Sequence, residues 1–417
     1  MQQSPTTQSQ VRNPYRVMVV DDSAIIRGFL SRYLADDAFI DVVTTANNGV
    51  MALRALDNYD IEAIVLDIEM PEMDGMTALP KLLEKKPDVQ IVMASTLTRK
   101  NAEISMRALQ LGAVDYVPKP ETARSVNASI DFRQELVEKV KAWAARARKK
   151  RNQDLPSQGD APAAPTAGTG RLSAGFVTAA RPAVRPAPTF VRPGREAPAV
   201  AAKEEPAILP GAAGAKVTLR AGSMRRPKIL AIGSSTGGPQ ALMKFFAQFT
   251  KAPEVPVLIT QHMPANFTAI LAKHLGQSTG WPSNEGQDGE AVKPGHIYVA
   301  PGGRHMEVTE GEGAVRIRLT DDPPENFCRP AVDPMFRSLA RVYGDTVLAV
   351  VLTGMGHDGM KGARELTRAG GTVMAQDEAT SVVWGMPGAV ATAGLCTEIL
   401  PLQDLGVRTA KRLQGVA

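Results

Sequence analysis

Cysteine is scarce in this sequence, and its scarcity excludes two classes of protein. Only Cys328 and Cys396 occur among the 417 residues. Two cysteines are too few for a disulfide framework, and neither lies in the CxxC spacing typical of metal sites. We therefore expect a reducing compartment, the cytoplasm.

Apolar runs long enough to cross a bilayer are also missing. No uninterrupted apolar stretch approaches the ~20 residues that a spanning helix needs. The N-terminus, MQQSPTTQSQVRNPYR, is polar and lacks the apolar centre of a secretory signal. We expect no insertion into a membrane.

The net charge of +5 is unevenly distributed. Residues 146–226 hold 15 of the 48 Lys and Arg residues but only 5 of the 43 Asp and Glu residues. This segment is rich in Ala, Pro and Gly and poor in large apolar side chains, as is typical of a disordered linker. A solvated linker explains its charge more simply than nucleic-acid binding, so no nucleic-acid partner is expected. The predicted organisation is a domain over residues 14–140, a basic Ala/Pro-rich linker over 141–225 and a second domain over 226–417.

Polar residues end four consecutive apolar strands of the N-terminal domain. They are Asp21 and Asp22, then Asp67, then Ser95 and Thr96, then Lys119. Helical patterns alternate with these strands, which predicts a doubly wound parallel sheet whose carboxyl ends meet at one edge. Clustered carboxylates favour a hard cation such as Mg²⁺, and a nearby lysine can pair with a bound anion. The pattern indicates a site that accepts a phosphoryl group.

These motifs resemble the flavodoxin-like receiver domain of two-component response regulators, over nearly all of residues 14–140. The resemblance implies that Asp67 is phosphorylated, with a chemotaxis histidine kinase as the donor. The implied Mg²⁺ ligands are Asp21, Asp22, Asp67 and the carbonyl of Glu69. The implied switch residues are Ser95, Tyr116 and Lys119. Ser95 is preferred to Thr96 because it directly follows the apolar run.

A glycine-rich turn, GSSTGG, follows the first strand of the C-terminal domain. It is not a dinucleotide fingerprint, because Ser235 stands where GxGxxG needs its second glycine. It is not a P-loop, because Pro239 and Gln240 replace the lysine and the hydroxyl residue. The turn does fit GxSxG, in which a tight strand-to-helix turn exposes a serine nucleophile. Ser235 is therefore the candidate nucleophile.

A serine nucleophile needs a base and a carboxylate that orients the base. His262 lies just past the apolar strand VPVLITQ, whose carboxyl end should lie near the serine. His305 and His357 remain possible bases. Asp358, in the loop LTGMGHDG, is a candidate carboxylate, and Asp333 in RPAVDPMF competes with it.

The motifs IGSSTGG, QHMP, RPAVDPMF and LTGMGHDG, in this order, resemble the catalytic domain of chemotaxis protein-glutamate methylesterases. The resemblance covers Lys228 to about Gln403 and implies a Rossmann-like α/β fold. The implied triad is Ser235 as nucleophile, His262 as base and Asp358 as orienting carboxylate. The implied oxyanion donors are the backbone N–H groups of Thr236 and Met355.

The implied activity is phosphorylation-controlled hydrolysis of glutamate γ-methyl esters on methylated chemoreceptors, with release of methanol. Deamidation of receptor glutamines by the same route is also implied. Mg²⁺ serves the receiver domain alone, and ester hydrolysis needs no cofactor. Two alternatives remain open: a DNA-binding response regulator, and a catalytically inactive regulator that docks on receptors.

Overall fold

The computed structural model describes residues 13–96, 98–119, 130–154 and 217–415. Most of the predicted linker lies outside these residues. Within them the chain forms two α/β domains, each built on a parallel sheet, as predicted.

The first sheet has five parallel strands in the order β2-β1-β3-β4-β5. This is the flavodoxin-like order. The strands are β1 Tyr15–Val20, β2 Ile40–Ala46, β3 Ala63–Asp67, β4 Gln90–Thr96 and β5 Asp115–Lys119. The helices between them are α1 Ala24–Ala35, α2 Gly49–Ala55, α3 Gly75–Lys85 and α4 Arg99–Gln110. Each helix begins after a residue whose side chain accepts a hydrogen bond from the first turn: Ser23, Asn48, Asp74 and Thr98.

A long helix, α5 Ile130–Asp154, follows in the described residues. It crosses residue 140, where the sequence analysis ended the first domain. Its apolar side chains pack on the core of that sheet, and Arg148 forms an ion pair with the buried Glu62. Residues 217–225 are likewise attached to the second domain, since Arg220 N–H donates to the carbonyl of Cys396. The described residues thus extend into the 141–225 segment from both sides, and the boundaries at 140 and 226 stay predictions.

The second sheet has seven parallel strands in the order β14-β13-β12-β6-β7-β9-β8. The strands are β6 Ile229–Ser234, β7 Val257–Gln261, β8 Ser283–Glu285, β9 Ile297–Val299, β12 Val347–Val351, β13 Thr372–Gln376 and β14 Glu398–Leu400. An antiparallel hairpin, β10 His305–Gly311 and β11 Ala314–Thr320, stands apart from the sheet. The helices are α6 Gly238–Phe246, α7 Phe267–Thr279, α8 Val332–Tyr343, α9 Met360–Arg368, α10 Met386–Thr392 and α11 Leu402–Leu413.

The central strands β6, β7 and β12 are continuous apolar runs because helices cover both faces of the sheet. Their carboxyl ends lie side by side at the middle of the sheet. The loops after β6, β7 and β12 therefore meet there, and they carry the turn GSSTGG, the segment QHMP and the loop TGMGHDG. Across the described part of the chain, no helix combines the length and the apolar character that crossing a membrane requires.

Candidate functional site

The acidic residues predicted at the edge of the first sheet do lie together. The side chains of Asp21, Asp22 and Asp67 each place an oxygen within 4.8 Å of the others. Lys119 Nζ lies 2.5 Å from an oxygen of Asp21 and 2.6 Å from one of Asp67. Burial raises the pKa of Asp67 to about 6, with help from the charge of Asp21 and against the effect of Lys119. The site thus holds more negative charge than one lysine neutralises.

The donors in this cluster fit a hard divalent cation. All three side chains offer carboxylate oxygens, the ligands that Mg²⁺ prefers. Glu69, whose carbonyl was the fourth predicted ligand, lies two residues after Asp67 in the loop that follows β3, and its side chain is exposed.

The predicted switch residues lie around this edge at different distances from the carboxylates. Ser95 is buried, and its hydroxyl is 2.9 Å from that of Ser105 in α4. Thr96 Oγ1 accepts a hydrogen bond from Asn101. Tyr116 is 3% exposed and packs away from the cluster, against the second domain. Of the switch residues, Lys119 alone contacts the acidic side chains in this structure.

The two serines in the turn after β6 differ in burial and in hydrogen bonding. Ser234 is fully buried, and its hydroxyl donates to Gln261 Oε1 at 2.6 Å. Ser235 is half-buried, and no hydrogen bond to its hydroxyl is found among the described residues. Its backbone is fixed by a bond from its N–H to the carbonyl of Thr353 at 3.0 Å. The hydroxyl of Ser235 is therefore the one available for chemistry.

Two glycines let the chain approach this serine. Gly237, directly before helix α6, has a φ of 74°, in the left-handed region that other residues avoid. A Cβ atom at Gly354 would lie 2.9 Å from Ser235 Cβ, so a larger residue would push the loop after β12 away. That loop carries Met355, one of the two predicted oxyanion donors.

The backbone N–H groups of Thr236 and Met355 have no protein acceptor within the described residues. Thr236 is 4% exposed, and it lies beside the amino end of helix α6. Unpaired N–H groups next to a helix amino end attract negative charge. They are suited to hold an oxyanion formed on a substrate at Ser235.

His262 lies directly after β7 and contacts the buried Asp358. Its Nε2 atom is 2.7 Å from Asp358 Oδ2. The N–H of His262 donates to the carbonyl of Ser234 at 3.1 Å, which ties the histidine to the serine turn. No hydrogen bond between His262 and the hydroxyl of Ser235 is found in the described part of the chain.

Asp358 is surrounded by donors. Its carboxylate accepts the backbone N–H groups of Val332 at 2.6 Å, Asp333 at 3.1 Å and Gly359 at 2.9 Å. Burial opposes its charge, yet these bonds and His262 bring the pKa of Asp358 down to about 2. Two of the donors belong to the first turn of helix α8, where the helix dipole adds to the effect.

The competing carboxylate and histidines have other partners. Asp333 is fully buried and accepts the N–H of Gly362 at 2.6 Å rather than contacting a histidine. His305 is buried, and both of its ring nitrogens form hydrogen bonds with backbone groups, which stabilises the surrounding loop. His357 is exposed. The structure thus pairs His262 with Asp358.

Two further residues of this site were not predicted from the sequence. Cys328 Sγ lies 3.2 Å from His262 Nδ1, the ring nitrogen that Asp358 leaves available. Asn326 Nδ2 donates to Asp358 Oδ1 at 2.9 Å and to Asp333 Oδ2 at 3.1 Å. Burial lowers the pKa of His262, but Cys328 and Asp358 together raise it to about 10. Asn326 and Cys328 lie just before the motif RPAVDPMF, and only their three-dimensional contacts identify them.

The first domain contacts the second next to these groups. Tyr116 stacks on Phe267 at the start of α7, with ring centroids 4.4 Å apart and planes inclined by 10°. Gln240 Nε2 donates to the carbonyl of Ala113 at 2.7 Å. The N–H of Gly237 lies 3.4 Å from a carboxylate oxygen of Asp115. These contacts reach the first turn of helix α6, two residues from Ser235.

Comparison with known proteins matches both domains. Residues 17–131 match the response regulator receiver domain family, and residues 230–408 match the CheB methylesterase family. A solved structure titled as the Thermotoga maritima CheB methylesterase catalytic domain is 40% identical, covers 44% of this chain and 98% of its own, and has a TM-score of 0.43.

Two curated relatives are similar over almost their whole length. The protein-glutamate methylesterase/protein-glutamine glutaminase 1 of Rhodospirillum rubrum is 49% identical over 405 residues, which is 96% of each chain. The protein-glutamate methylesterase/protein-glutamine glutaminase of Azospirillum brasilense is 50% identical over 396 residues, covering 94% of this chain and 91% of its own. This chain therefore belongs to the protein-glutamate methylesterase/protein-glutamine glutaminase family, with a response regulator receiver domain in front of the methylesterase domain.

Proposed function

We propose that this protein is a phosphorylation-activated serine hydrolase that removes methyl esters from glutamate side chains of chemoreceptors. The observation that carries the proposal is the hydrogen bond of 2.7 Å between His262 and Asp358, beside the turn that presents Ser235. Deamidation of receptor glutamines at the same site is the second proposed reaction, since an amide differs from the ester only in its leaving group.

Ser235 is the proposed nucleophile and His262 the proposed base. Nε2–H of His262 donates to Asp358, so Nδ1 is the nitrogen that can take the proton from the serine hydroxyl. In this structure Nδ1 faces Cys328. The serine hydroxyl must therefore replace the thiol at Nδ1 before it attacks the ester carbonyl.

Attack forms a tetrahedral oxyanion, which the N–H groups of Thr236 and Met355 would stabilise. Return of the proton from His262 releases methanol and leaves an acyl-enzyme. A water molecule, activated by the same histidine, then releases free glutamate and restores Ser235. Proton transfer and oxyanion stabilisation meet the needs of this ester, so we assign Mg²⁺ to the receiver domain alone.

Asp67 is the proposed phosphoacceptor, with a chemotaxis histidine kinase as donor. Asp21, Asp22, Asp67 and the carbonyl of Glu69 would hold Mg²⁺, which neutralises the crowded carboxylates and the incoming phosphoryl group when it is bound. Lys119, already 2.6 Å from Asp67, would pair with the phosphoryl oxygens. Ser95 and Tyr116 would respond to the phosphoryl group as switch residues.

Release of methanol from receptor membranes tests the activity. Membranes carrying methyl-labelled receptors should lose labelled methanol when the protein is added, faster with a phosphodonor and Mg²⁺ than without. Wild-type protein that is folded and phosphorylated but releases no methanol from such membranes would contradict the proposal.

The contact between the domains suggests how phosphorylation acts. The unphosphorylated receiver is proposed to cover the catalytic site, since Asp115 and Tyr116 lie against the starts of helices α6 and α7. Weakening the contact should then raise the activity of the unphosphorylated protein. Arg146, which donates to the carbonyl of Ser381, and Gln240, which donates to that of Ala113, are suitable positions. An Arg146→Ala/Gln240→Ala protein with unchanged basal activity would argue against masking.

A further inference from the structure

The segment Glu325–Cys328 forms a tight turn at the rim of the catalytic site. The N–H of Glu325 donates to the carbonyl of Cys328 at 3.1 Å, and the N–H of Cys328 donates back at 2.9 Å. The two central residues, Asn326 and Phe327, have φ values of 52° and 63°. Positive φ at both central positions is the geometry that favours Asn followed by Gly.

Phe327 contradicts this preference. Asn tolerates the left-handed region, but a bulky aromatic residue at positive φ is strained. The other non-glycine residues at positive φ in the described part of the chain are Glu72, Asn266 and Asn326, none of them aromatic. The backbone therefore gives no reason for phenylalanine at this position.

Packing gives no reason either. Phe327 is 92% exposed, whereas the next most exposed aromatic residues among the described ones are Phe39 at 49% and Tyr59 at 44%. Exposure of an aromatic ring to water is unfavourable. A phenylalanine that is both strained and almost fully exposed therefore points to a contact outside the chain.

The residues on either side fix the turn to the proposed triad. Asn326 donates to Asp358, and Cys328 contacts His262. Glu325 forms a two-pronged ion pair with Arg337, one arm of which measures 2.9 Å. These contacts fix the backbone of Phe327 beside the groups that would act on the substrate. A side chain carried on a fixed turn loses less entropy on binding than one carried on a flexible loop.

We propose that Phe327 is a substrate-contacting residue that packs on an apolar patch of the polypeptide carrying the glutamyl ester. The inference rests on the proposed function, because it takes the substrate to be a side chain on a folded protein surface. The contact would position the polypeptide so that the ester reaches Ser235. Aromatic residues supply a large part of the binding energy at such contacts.

The test is Phe327→Gly in the full-length protein. Glycine suits positive φ, so this variant keeps the turn while removing the ring. With methylated receptor membranes, KM should rise roughly tenfold while kcat stays the same, as expected when a uniform binding contact is lost. Hydrolysis of the small ester p-nitrophenyl acetate, which has no polypeptide part to pack on the ring, should be unchanged. Phe327→Leu should restore part of the lost affinity.

Met224→Ala is the matched control. Met224 is 95% exposed, and its neighbour Ser223 bonds to Thr372 at the amino end of β13, the end of the sheet opposite to the catalytic loops. This variant should keep the wild-type KM. Together the two substitutions separate a specific contact from a general loss of surface hydrophobicity.

The outcomes are distinct. An unchanged KM for Phe327→Gly on receptor membranes would overturn the inference while leaving the esterase intact. An equal loss of activity on p-nitrophenyl acetate would also overturn it, because the residue would then support the triad rather than the substrate. Failure of the wild-type protein to release methanol from receptor membranes would instead overturn the proposed function, and this inference with it.

Discussion

Asp67 in the receiver domain and Asp358 in the catalytic domain are both buried carboxylates near the carboxyl end of a parallel strand, and their pKa values move in opposite directions. Burial disfavours the charge of each. At Asp67 burial prevails, and the pKa rises to about 6. At Asp358 hydrogen bonds and His262 prevail over burial, and the pKa falls to about 2. The topology of the strand end thus does not fix the charge state of the residue placed there.

The donors around each carboxylate explain the difference. Asp67 shares the single ammonium group of Lys119 with Asp21 and accepts one backbone N–H, that of Ile68. Asp358 accepts three backbone N–H groups, the amide of Asn326 and the ring N–H of His262. The negative charge around Asp67 is only partly neutralised, which suits a site that binds a cation. The negative charge of Asp358 is fully stabilised by protein donors, which suits a carboxylate that orients a base.

The largest expected effect comes from substitutions that inactivate the catalytic site and leave the receiver site intact. Ser235→Ala should lower methanol release by several orders of magnitude, because a nucleophile and its base act as a unit. His262→Ala should be about as damaging, and the double variant little worse. Phosphorylation of Asp67 should persist in all of them, since the receiver site shares none of these side chains.

Ser234→Ala is the control for that prediction. Its hydroxyl bonds only to Gln261 in the described structure, so this variant should keep most of its activity. Severe loss with Ser234→Ala and near-normal release with Ser235→Ala would show that the nucleophile had been assigned to the wrong serine.

The second expected effect comes from a substitution that inactivates the receiver site and leaves the catalytic site intact. Asp67→Asn should lose labelling by a phosphodonor with Mg²⁺, because an amide is not a nucleophile for the phosphoryl group. The same protein should keep its basal release of methanol and lose the increase caused by the phosphodonor. Labelling of purified Asp67→Asn at the wild-type rate would contradict the assignment.

A third prediction compares the two carboxylates directly through stability. The folded pKa of Asp67, about 6, lies above its usual 3.8, so stability is lost as pH rises from about 4 to 6. The folded pKa of Asp358, about 2, lies below 3.8, so its stabilisation is present at neutral pH and lost as pH falls toward 2. At pH 7 Asp67→Asn should therefore stabilise its domain, and Asp358→Asn should destabilise the other, each by about 2–3 kcal/mol at most.

Urea unfolding at pH 7 with EDTA measures both effects without a bound cation. The receiver transition should move to higher urea in Asp67→Asn, and the catalytic-domain transition to lower urea in Asp358→Asn. At pH 4 the advantage of Asp67→Asn should shrink. Shifts in the same direction for both variants would show that the two sites do not differ as described.

The smallest expected effect concerns the base. Burial lowers the pKa of His262, but Cys328 is the largest of the influences that raise it, to about 10. Because the base must be unprotonated, this raised pKa places the acid limb of kcat/KM at high pH. Cys328→Ala should move that limb to lower pH by about one unit, and so increase activity at neutral pH up to roughly tenfold.

Cys396→Ala is the matched control for the thiol. Cys396 is fully buried in the core of the catalytic domain. Removing its sulfur leaves a small cavity that lowers stability, but the pH profile of kcat/KM should be unchanged. If the acid limb of the kcat/KM profile lies at the same pH in Cys328→Ala as in the wild type, the side chain of Cys328 does not control the charge of His262.

The sequence predicted both sheets and most of the side chains at their edges, because apolar strands followed by polar residues leave a local pattern. It placed Asp67, Lys119 and His262 at strand ends, where the structure has them. It left Asp333 and Asp358 in competition, because only packing shows which carboxylate faces the histidine. Asn326 and Cys328 were missed for the same reason, since their contacts join loops that are distant along the chain.

The contact between Asp115 and Gly237 has a kinetic consequence. It sets a receiver carboxylate against the positive amino end of helix α6, the end that would also stabilise the oxyanion of the reaction. An oxyanion at the N–H of Thr236 and the carboxylate of Asp115 at the N–H of the adjacent Gly237 would repel each other. The receiver domain would therefore behave as an intramolecular competitive inhibitor. At saturating receptor substrate the unphosphorylated enzyme should then reach the same kcat as the phosphorylated enzyme. Phosphorylation should mainly lower the apparent KM.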